Sequence, residues 1–292
     1  MNLGGEGAIT RSLQSLPCHN CIEGHREFAA AIIRAMVESA DRVLRILQSF
    51  APYDRDVSLG DIAERVELPK SSVHRLLVTL IAHGFVERDD STRRYKLGIK
   101  LFELGSAAIH ERGLQGSALP ALDELSRVTG ETCHLAVLSG TEAVYVYKLD
   151  GKSSIIMSSR VGGRAPVHAT SIGKVLTAWS SPEVMALVRK APMKASTRNT
   201  ITSFRAFDAE LQKVRASGYA LDLEEFEMGL RCIAAPVRDQ SARVIAALGI
   251  AGPRSRLGDT RLKKLVPIVV DAADLLSRNL GFVLDHGLAT AR

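Results

Sequence analysis

The clearest chemistry in this sequence lies in a cluster of basic and small polar side chains between Lys70 and Lys100. Seven lysines and arginines stand there against three aspartates and glutamates, although the whole chain has a formal net charge of only +6. Phosphate groups attract such a local excess of positive charge, and an arginine can pair in bidentate fashion with O6 and N7 of guanine. The cluster therefore predicts contact with DNA.

The apolar residues of this segment determine which face its polar residues share. From Val73 to Leu80 they recur at i, i+3, i+4 and i+7, the spacing of a helix with one buried face. The opposite face suits a major groove, and basic residues of a following hairpin would lie beside the DNA backbone. The predicted DNA contacts are Lys70, Ser71, Ser72, His74, Arg75, Val78 and Thr79 on the helix, and Arg93, Arg94 and Lys96 on the hairpin.

Three short helices and a hairpin are predicted to position these side chains. Ser39 is expected to cap a first helix, and Ser58 a second, where its hydroxyl oxygen can accept a hydrogen bond from the amide of Asp61. Pro69 separates the second helix from the third, which Gly84 is expected to end. Two short helices around a tight turn, followed by a hairpin, form a winged helix-turn-helix.

A second segment, Ser171 to Lys174, suggests two kinds of enzyme. A serine nucleophile beside a lysine usually needs companion S-D-N and K-T-G motifs, and neither occurs. A phosphate-binding loop would need glycine at His168 and a hydroxyl residue at Val175. His168 has no carboxylate placed by the sequence to orient it as a base. We therefore expect no enzyme activity, whereas a helix beginning near Ser171 would offer free N–H groups to a carboxylate ligand.

The composition excludes several classes of protein. Four cysteines in 292 residues do not make a disulfide scaffold. Cys18 and Cys21, with His19 and His25 nearby, leave a zinc or redox site open, but no second C-x-x-C completes four ligands. We expect no cofactor and no metal. No apolar stretch approaches the ~20 residues of a membrane span, so the sequence predicts a cytoplasmic protein without a membrane partner.

The order of predicted elements indicates an α+β protein. Strands and helices come in separate runs after residue 130, which favours a mixed α/β domain with an antiparallel sheet of the GAF/profilin-like kind. The predicted division is a flexible leader (1–35), a winged helix-turn-helix (36–98), a linker helix (99–115), an effector-binding domain (116–285) and a tail (286–292). An apolar stripe from Leu101 to Ile109 is the predicted dimer contact.

Three ordered blocks of sequence resemble the IclR family of bacterial transcription regulators. The first block, in the first domain, reads SLGDIAE (58–64), LPKSSVHRLL (68–77) and GFV (84–86). The other two lie in the second domain and read SRVGGRAPVHA (159–169) followed by GK (173–174), and GLRCIAAPV (229–237). The resemblance covers about residues 38–282. It implies a regulator that binds a near-palindromic operator in double-stranded DNA as a homodimer or a dimer of dimers, under control of a small organic acid.

The resemblance also implies where the acid binds, at positions that carry over to Ser171, Ile172, Asp222, Cys232, Gly249 and Ala251; Ile155 and Met157 are further candidates to line the site. Better-known members carry hydroxyls where Gly249 and Ala251 stand, so we expect a roomier, less polar site that favours an aromatic or branched acid. Asp222 would hold a hydroxyl or oxo group of the ligand, or be protonated. The alternatives are an architectural DNA-binding protein without an effector and an enzyme that uses Ser171 or Cys232.

Overall fold

A computed structural model describes residues 37–50, 56–110, 114, 116–151 and 159–283. The chain forms two compact units that divide between Leu104 and Gly105. The leader with Cys18, Cys21, His19 and His25, the candidate ligand contacts Ile155 and Met157, and the tail all lie outside the described residues. Among the helices that are described, none is long and apolar enough to cross a membrane.

The first unit is the winged helix-turn-helix that the sequence predicts. Its elements are α1 (Glu38–Ser49), α2 (Leu59–Val66), α3 (Lys70–Ala82), β1 (Val86–Arg88), β2 (Tyr95–Leu97) and the start of α4 (Lys100–His110). The two strands pair antiparallel to form the wing. One apolar core, which includes Ile46, Ile62 and Leu77, joins the helices to the buried ring of Tyr95 on the wing.

Local signals set the helix ends in this unit, with one exception. Ser58 Oγ accepts from Asp61 N at 3.2 Å while Asp61 Oδ2 accepts from Ser58 N at 3.2 Å, so α2 begins with a complete capping box. Gly84 follows α3 at φ +73°, as predicted. The prediction for Ser39 was wrong, because α1 begins at Glu38 after Val37 and has no side-chain cap.

The second unit is an α+β domain around a six-stranded antiparallel sheet with the strand order β5-β4-β3-β8-β7-β6. Helices α5 and α9 cover one face, and α6, α7 and α8 cover the other. The elements are α5 (Ala118–Thr129), β3 (Thr132–Ser139), β4 (Glu142–Leu149), β5 (Arg164–Pro166), α6 (Ser171–Ala178), α7 (Pro182–Lys190), α8 (Phe204–Ser217), β6 (Ala220–Leu223), β7 (Leu230–Arg238), β8 (Val244–Pro253) and α9 (Asp259–Asn279).

Candidate functional site

The outer face of α3 presents the side chains that the sequence predicts to meet DNA. Val73 and Leu77 are fully buried, Leu80 is almost so, and Leu76 is half-buried. The exposed side chains are Lys70, Ser71, His74, Arg75, Val78 and Thr79, and Ser72 is half-buried at the edge of the same face. The helix therefore carries one donor-rich surface opposite its core.

A tight hydrogen-bonded turn shapes the tip of the wing. Asp89 Oδ1 accepts from Ser91 N at 2.8 Å, from Ser91 Oγ at 2.6 Å and from Thr92 N at 3.3 Å. These hydrogen bonds, the one from the Ser91 hydroxyl first, lower the pKa of Asp89 to about 2. The carboxylate thus stays charged and the turn stays formed throughout the physiological pH range. Arg93 follows with φ +55°.

Two of the three wing bases have partners within the unit. Lys96 Nζ lies 2.9 Å from Glu87 Oε2 on the neighbouring strand, and this pair raises the pKa of Lys96. An Arg94 guanidinium nitrogen donates to the backbone oxygen of Asp56 at 3.2 Å. Both groups are exposed, so a DNA phosphate could compete for them.

A cavity of about 300 Å³ opens on the sheet face that carries α6. Its lining includes Ser171 and Ile172 at the N-terminus of α6, whose amides come before the first hydrogen bond of the helix. Thr170 caps this end, since its Oγ1 accepts from Gly173 N at 3.1 Å. The turn is tight enough that a Cβ on Gly173 would lie 2.4 Å from the Cα of Val167. Only glycine fits there.

The strands place three of the remaining candidates in one row across the sheet. Cys232 on β7 lies opposite Asp222 on β6 and opposite Ala251 on β8. All three line the same cavity. Five of the six positions carried over from the family are therefore adjacent to one space, namely Ser171, Ile172, Asp222, Cys232 and Ala251.

The sixth position, Gly249, does not line the cavity. A Cβ there would lie 2.5 Å from the backbone oxygen of Ile233 and 3.1 Å from the Cβ of Ala234. Glycine at this position therefore allows strand β7 to approach closely, and it leaves no extra room for a ligand. The expectation that the missing side chain of Gly249 enlarges the site was wrong.

Asp222 has an unusual environment for a carboxylate. Its side chain is 1% exposed, and Oδ1 accepts from Glu225 N at 2.7 Å. Oδ2 is buried and has no hydrogen-bond partner among the described residues. Burial raises the pKa of Asp222 to about 7, because desolvation penalises the charged form. Near neutral pH this side chain therefore exists in both its protonated and its ionised form.

Cys232 is a poor candidate for a nucleophile. Cys232 is half-buried, and desolvation, followed by the charge of the neighbouring Asp222, raises the pKa of its thiol. The reactive form of cysteine is the thiolate, and a raised pKa keeps the thiol protonated at physiological pH. The arrangement disfavours an enzyme that uses Cys232.

Lys174, the lysine of the Ser171 to Lys174 segment, forms hydrogen bonds with residues outside that segment. Lys174 is 1% exposed and donates to Glu225 Oε1 at 2.5 Å and to the backbone oxygen of Leu221 at 2.9 Å. Both contacts use the N–H donors of Lys174, so this side chain is not arranged to accept a proton from Ser171. His168 is likewise buried, with Nε2 3.1 Å from the backbone oxygen of Lys194, a structural contact.

The cavity also has a polar wall that the sequence analysis did not include. His134 Nε2 lies 2.7 Å from Ser159 Oγ, and the His134 and Tyr145 rings are 4.9 Å apart. Burial lowers the pKa of His134 to about 4, so the imidazole is neutral at pH 7. In the sequence, His134 stands between the apolar residues Cys133 and Leu135, as is common in a strand. This local pattern does not show that Ser159 and Tyr145 contact the imidazole.

Both units match known protein families. Residues 39–90 match the family described as IclR helix-turn-helix domain, and residues 106–278 match Bacterial transcriptional regulator IclR C-terminal. The chain is 40% identical to the HTH-type transcriptional regulator XynR of Escherichia coli K12, over 85% of this chain and 98% of that protein. It is also 40% identical to the regulator KdgR of the same strain, over 84% of this chain and 94% of that protein.

A solved structure shows the same architecture with a ligand. It is an IclR homolog from Microbacterium hydrocarbonoxydans complexed with 4-hydroxybenzoate, which superposes with a TM-score of 0.76 at 30% identity. The match covers 83% of this chain and 99% of that one. The relatives described above are regulators of transcription, and the ligand of this neighbour is a carboxylic acid.

Proposed function

Because this chain belongs to the IclR family of bacterial transcriptional regulators, it regulates transcription through DNA, and we propose that a small carboxylic acid controls its binding to an operator. The acid would occupy the 300 Å³ cavity of the second unit. In this proposal Arg75 and the other exposed residues of α3 read the major groove, while the wing contacts phosphates. Such a protein would act in the cytoplasm, where bacterial DNA lies.

One observation carries the proposal for an acid, namely that the cavity presents free helix amides, while the two arginines in its lining, Arg160 and Arg164, are not buried. The N-terminus of α6 offers amides and a partial positive charge to a carboxylate. Around it stand the buried, neutral His134 and the half-titrated Asp222, not a buried cation. The volume is at the lower end of the usual range for ligand pockets, which suits a compact acid. The 4-hydroxybenzoate of the structural neighbour supports an aromatic acid as one candidate.

Filling the cavity should abolish the response to the acid. Ala251 lines the cavity and is 5% exposed, so Ala251→Leu would place three additional carbons in the ligand space. We expect acid affinity to fall at least about tenfold through steric exclusion. Operator binding without acid should be retained, because the change lies in the other unit. Calorimetric titration with the acid, together with an operator-binding assay, measures both.

The matched control for this variant is Ala186→Leu. Ala186 is exposed on α7, away from the cavity, so the same substitution should leave acid affinity and operator response as in the wild type. If folded Ala251→Leu binds the acid as tightly as the control does, the acid binds elsewhere and the proposed site is wrong.

We further propose a homodimer or a dimer of dimers on a near-palindromic operator. One winged helix reads only a few base pairs, and two-fold symmetry doubles the footprint. On α4, Phe102 is 70% exposed and Leu104 is 50% exposed, and both lie in the predicted dimer contact from Leu101 to Ile109, where a second copy would bury them together. Phe102→Glu should therefore lower the mass measured by light scattering at operator-binding concentrations.

Leu187→Glu serves as the control, because Leu187 is 54% exposed on α7 and outside the predicted dimer contact. This variant should keep the mass of the wild type. A wild-type protein that stays monomeric while bound to its operator would contradict the proposal.

A further inference from the structure

Asp222 is a buried acidic residue of the cavity lining, whereas the other acidic residue described there, Glu227, is exposed to solvent. The carboxyl group of Asp222 is almost completely buried, lines the same cavity as the N-terminus of α6, and leaves Oδ2 without a hydrogen-bond partner among the described residues. A buried ionised carboxylate normally fills its hydrogen-bonding capacity. The oxygen without a geometric hydrogen-bond partner therefore marks a position where a proton can be added, although the Cys232 thiol and the Phe226 amide lie near enough to influence this carboxyl group.

The groups around Asp222 do not neutralise it. Lys174 Nζ on α6 is the cation that favours the ionised form, but it donates to Glu225 and also lies 3.5 Å from Glu210. Glu225 raises the pKa of Asp222 further, whereas the amides of Glu225 and Phe226 lower it. Within the part of the chain that the structure describes, the other titratable or charged groups that face this space are Cys232 on β7, Tyr145 on β4, His134 on β3, Glu227 in the loop after β6, Arg160 before β5 and Arg164 on β5.

Arg160 and Arg164, the two arginines that line the cavity, do not cancel the repulsion between an ionised Asp222 and a ligand carboxylate. Arg164 is exposed and pairs with Glu142 at 3.0 Å, and Arg160 is only half-buried. Solvent screens charges in such positions. A carboxylate on the amides of Ser171 and Ile172 would therefore face an ionised Asp222 across the cavity.

We propose that the acid binds together with one proton, which Asp222 takes up when the ligand carboxylate enters the cavity. This inference rests on the proposed function, since it concerns the same site. No proton is needed for the bond between the ligand and the helix amides. The proton removes the second negative charge from a cavity that stabilises only one.

The size of the effect follows from Coulomb's law. Two like charges about 8 Å apart, at an effective dielectric constant of 20, repel enough to weaken binding roughly 30-fold. The ligand thus raises the pKa of Asp222 above its free value of about 7. Because the bound state holds the proton more tightly, affinity is greatest at low pH and falls as pH rises through 7. It levels off once the bound form also loses its proton.

The test uses the full-length protein with three probes: pyruvate, gluconate and 4-hydroxybenzoate, which represent oxo, polyhydroxy and aromatic acids. Calorimetric titrations at pH 6 and pH 9 give the affinity. Titrations at pH 8 in two buffers of different ionisation enthalpy give the number of protons taken up. For a probe that binds, we expect the dissociation constant to rise about 10- to 30-fold from pH 6 to pH 9, with an uptake of about 0.7 protons per ligand at pH 8.

Asp222→Asn should remove this linkage. Its amide cannot titrate, and its oxygen can accept from Glu225 N as Asp222 Oδ1 does. The ratio of dissociation constants between pH 9 and pH 6 should fall to about one in this variant. Asp123→Asn, a change at an exposed position on α5, should keep the wild-type ratio.

The outcomes separate the two proposals. Binding that is equally tight at both pH values without proton uptake, or that strengthens with pH, would overturn the inference and leave the acid site standing. The same holds if Asp222→Asn keeps the wild-type ratio. If none of the three probes binds at either pH, both the acid site and the inference that rests on it fail.

Discussion

Gly173→Ala should destabilise the second unit by about 3 kcal/mol or more and abolish acid binding. The added Cβ would lie 2.4 Å from the Cα of Val167, 2.6 Å from its oxygen and 2.7 Å from the Thr170 hydroxyl oxygen. Two of these atoms belong to the backbone, so the strain cannot relax by a change of rotamer. The turn that presents the amides of Ser171 and Ile172 would have to open. Denaturant unfolding and acid titration measure the two losses.

Gly258→Ala is the matched control for this substitution. Gly258 precedes α9 with φ −64°, and a Cβ there would meet no atom within 4 Å. We expect a change below about 1 kcal/mol, since alanine is a slightly poorer N-cap than glycine. If Gly173→Ala is as stable as Gly258→Ala and binds the acid normally, the tight turn is not what builds the site.

Arg75→Ala should weaken binding to the cognate operator by about 5- to 150-fold, equivalent to 1–3 kcal/mol, and relax its sequence preference. Arg75 is exposed on α3 between the buried residues Val73 and Leu77. Its replacement therefore removes the N–H donors of the guanidinium group without disturbing the core. The expected contact is a bidentate pair with guanine in the major groove. Competition binding with operator and random DNA measures both affinity and preference.

Lys96→Ala provides the comparison, because a wing lysine is expected to contact phosphate. Its loss should weaken operator and random DNA alike and make the salt dependence shallower. The effect should be modest, since Lys96 already has Glu87 as a partner at 2.9 Å. If Arg75→Ala weakens random DNA as much as operator, Arg75 contacts the DNA backbone and does not read a base.

Elements stabilised by local contacts were predictable from the sequence. The capping box of Ser58 and Asp61 joins residues three apart, and the left-handed Gly84 follows its helix directly. Helices α7, Pro182 to Lys190, and α8, Phe204 to Ser217, likewise each follow a serine N-cap that the sequence displays. Strand β5 was not predicted, because it pairs with the distant β4, whereas the equally short wing strands are joined by a turn that the sequence displays.

The candidate ligand site was predictable only in part. The resemblance to the family pointed to Ser171, Ile172, Asp222, Cys232 and Ala251, and the structure brings these residues to one cavity. The same resemblance pointed to Gly249, where the close approach of β7 excludes any ligand role for a missing side chain. Positions inferred from a family resemblance show which residues lie in the same region of the fold. They do not show whether the backbone directs each side chain into the cavity.

Strand register and long-range pairing were decided by the tertiary structure. Asp222, Cys232 and Ala251 share a row only because β6, β7 and β8 pair in one register, and a slip of one residue would turn Cys232 to the other face. His134 meets Ser159 across 25 positions of sequence, and Lys174 meets Glu225 across 51. The sequence determined the DNA-reading helix, whose apolar spacing sets its exposed face. The charge state of the cavity arises from burial, which exists only once the sheet and α6 have closed over Asp222.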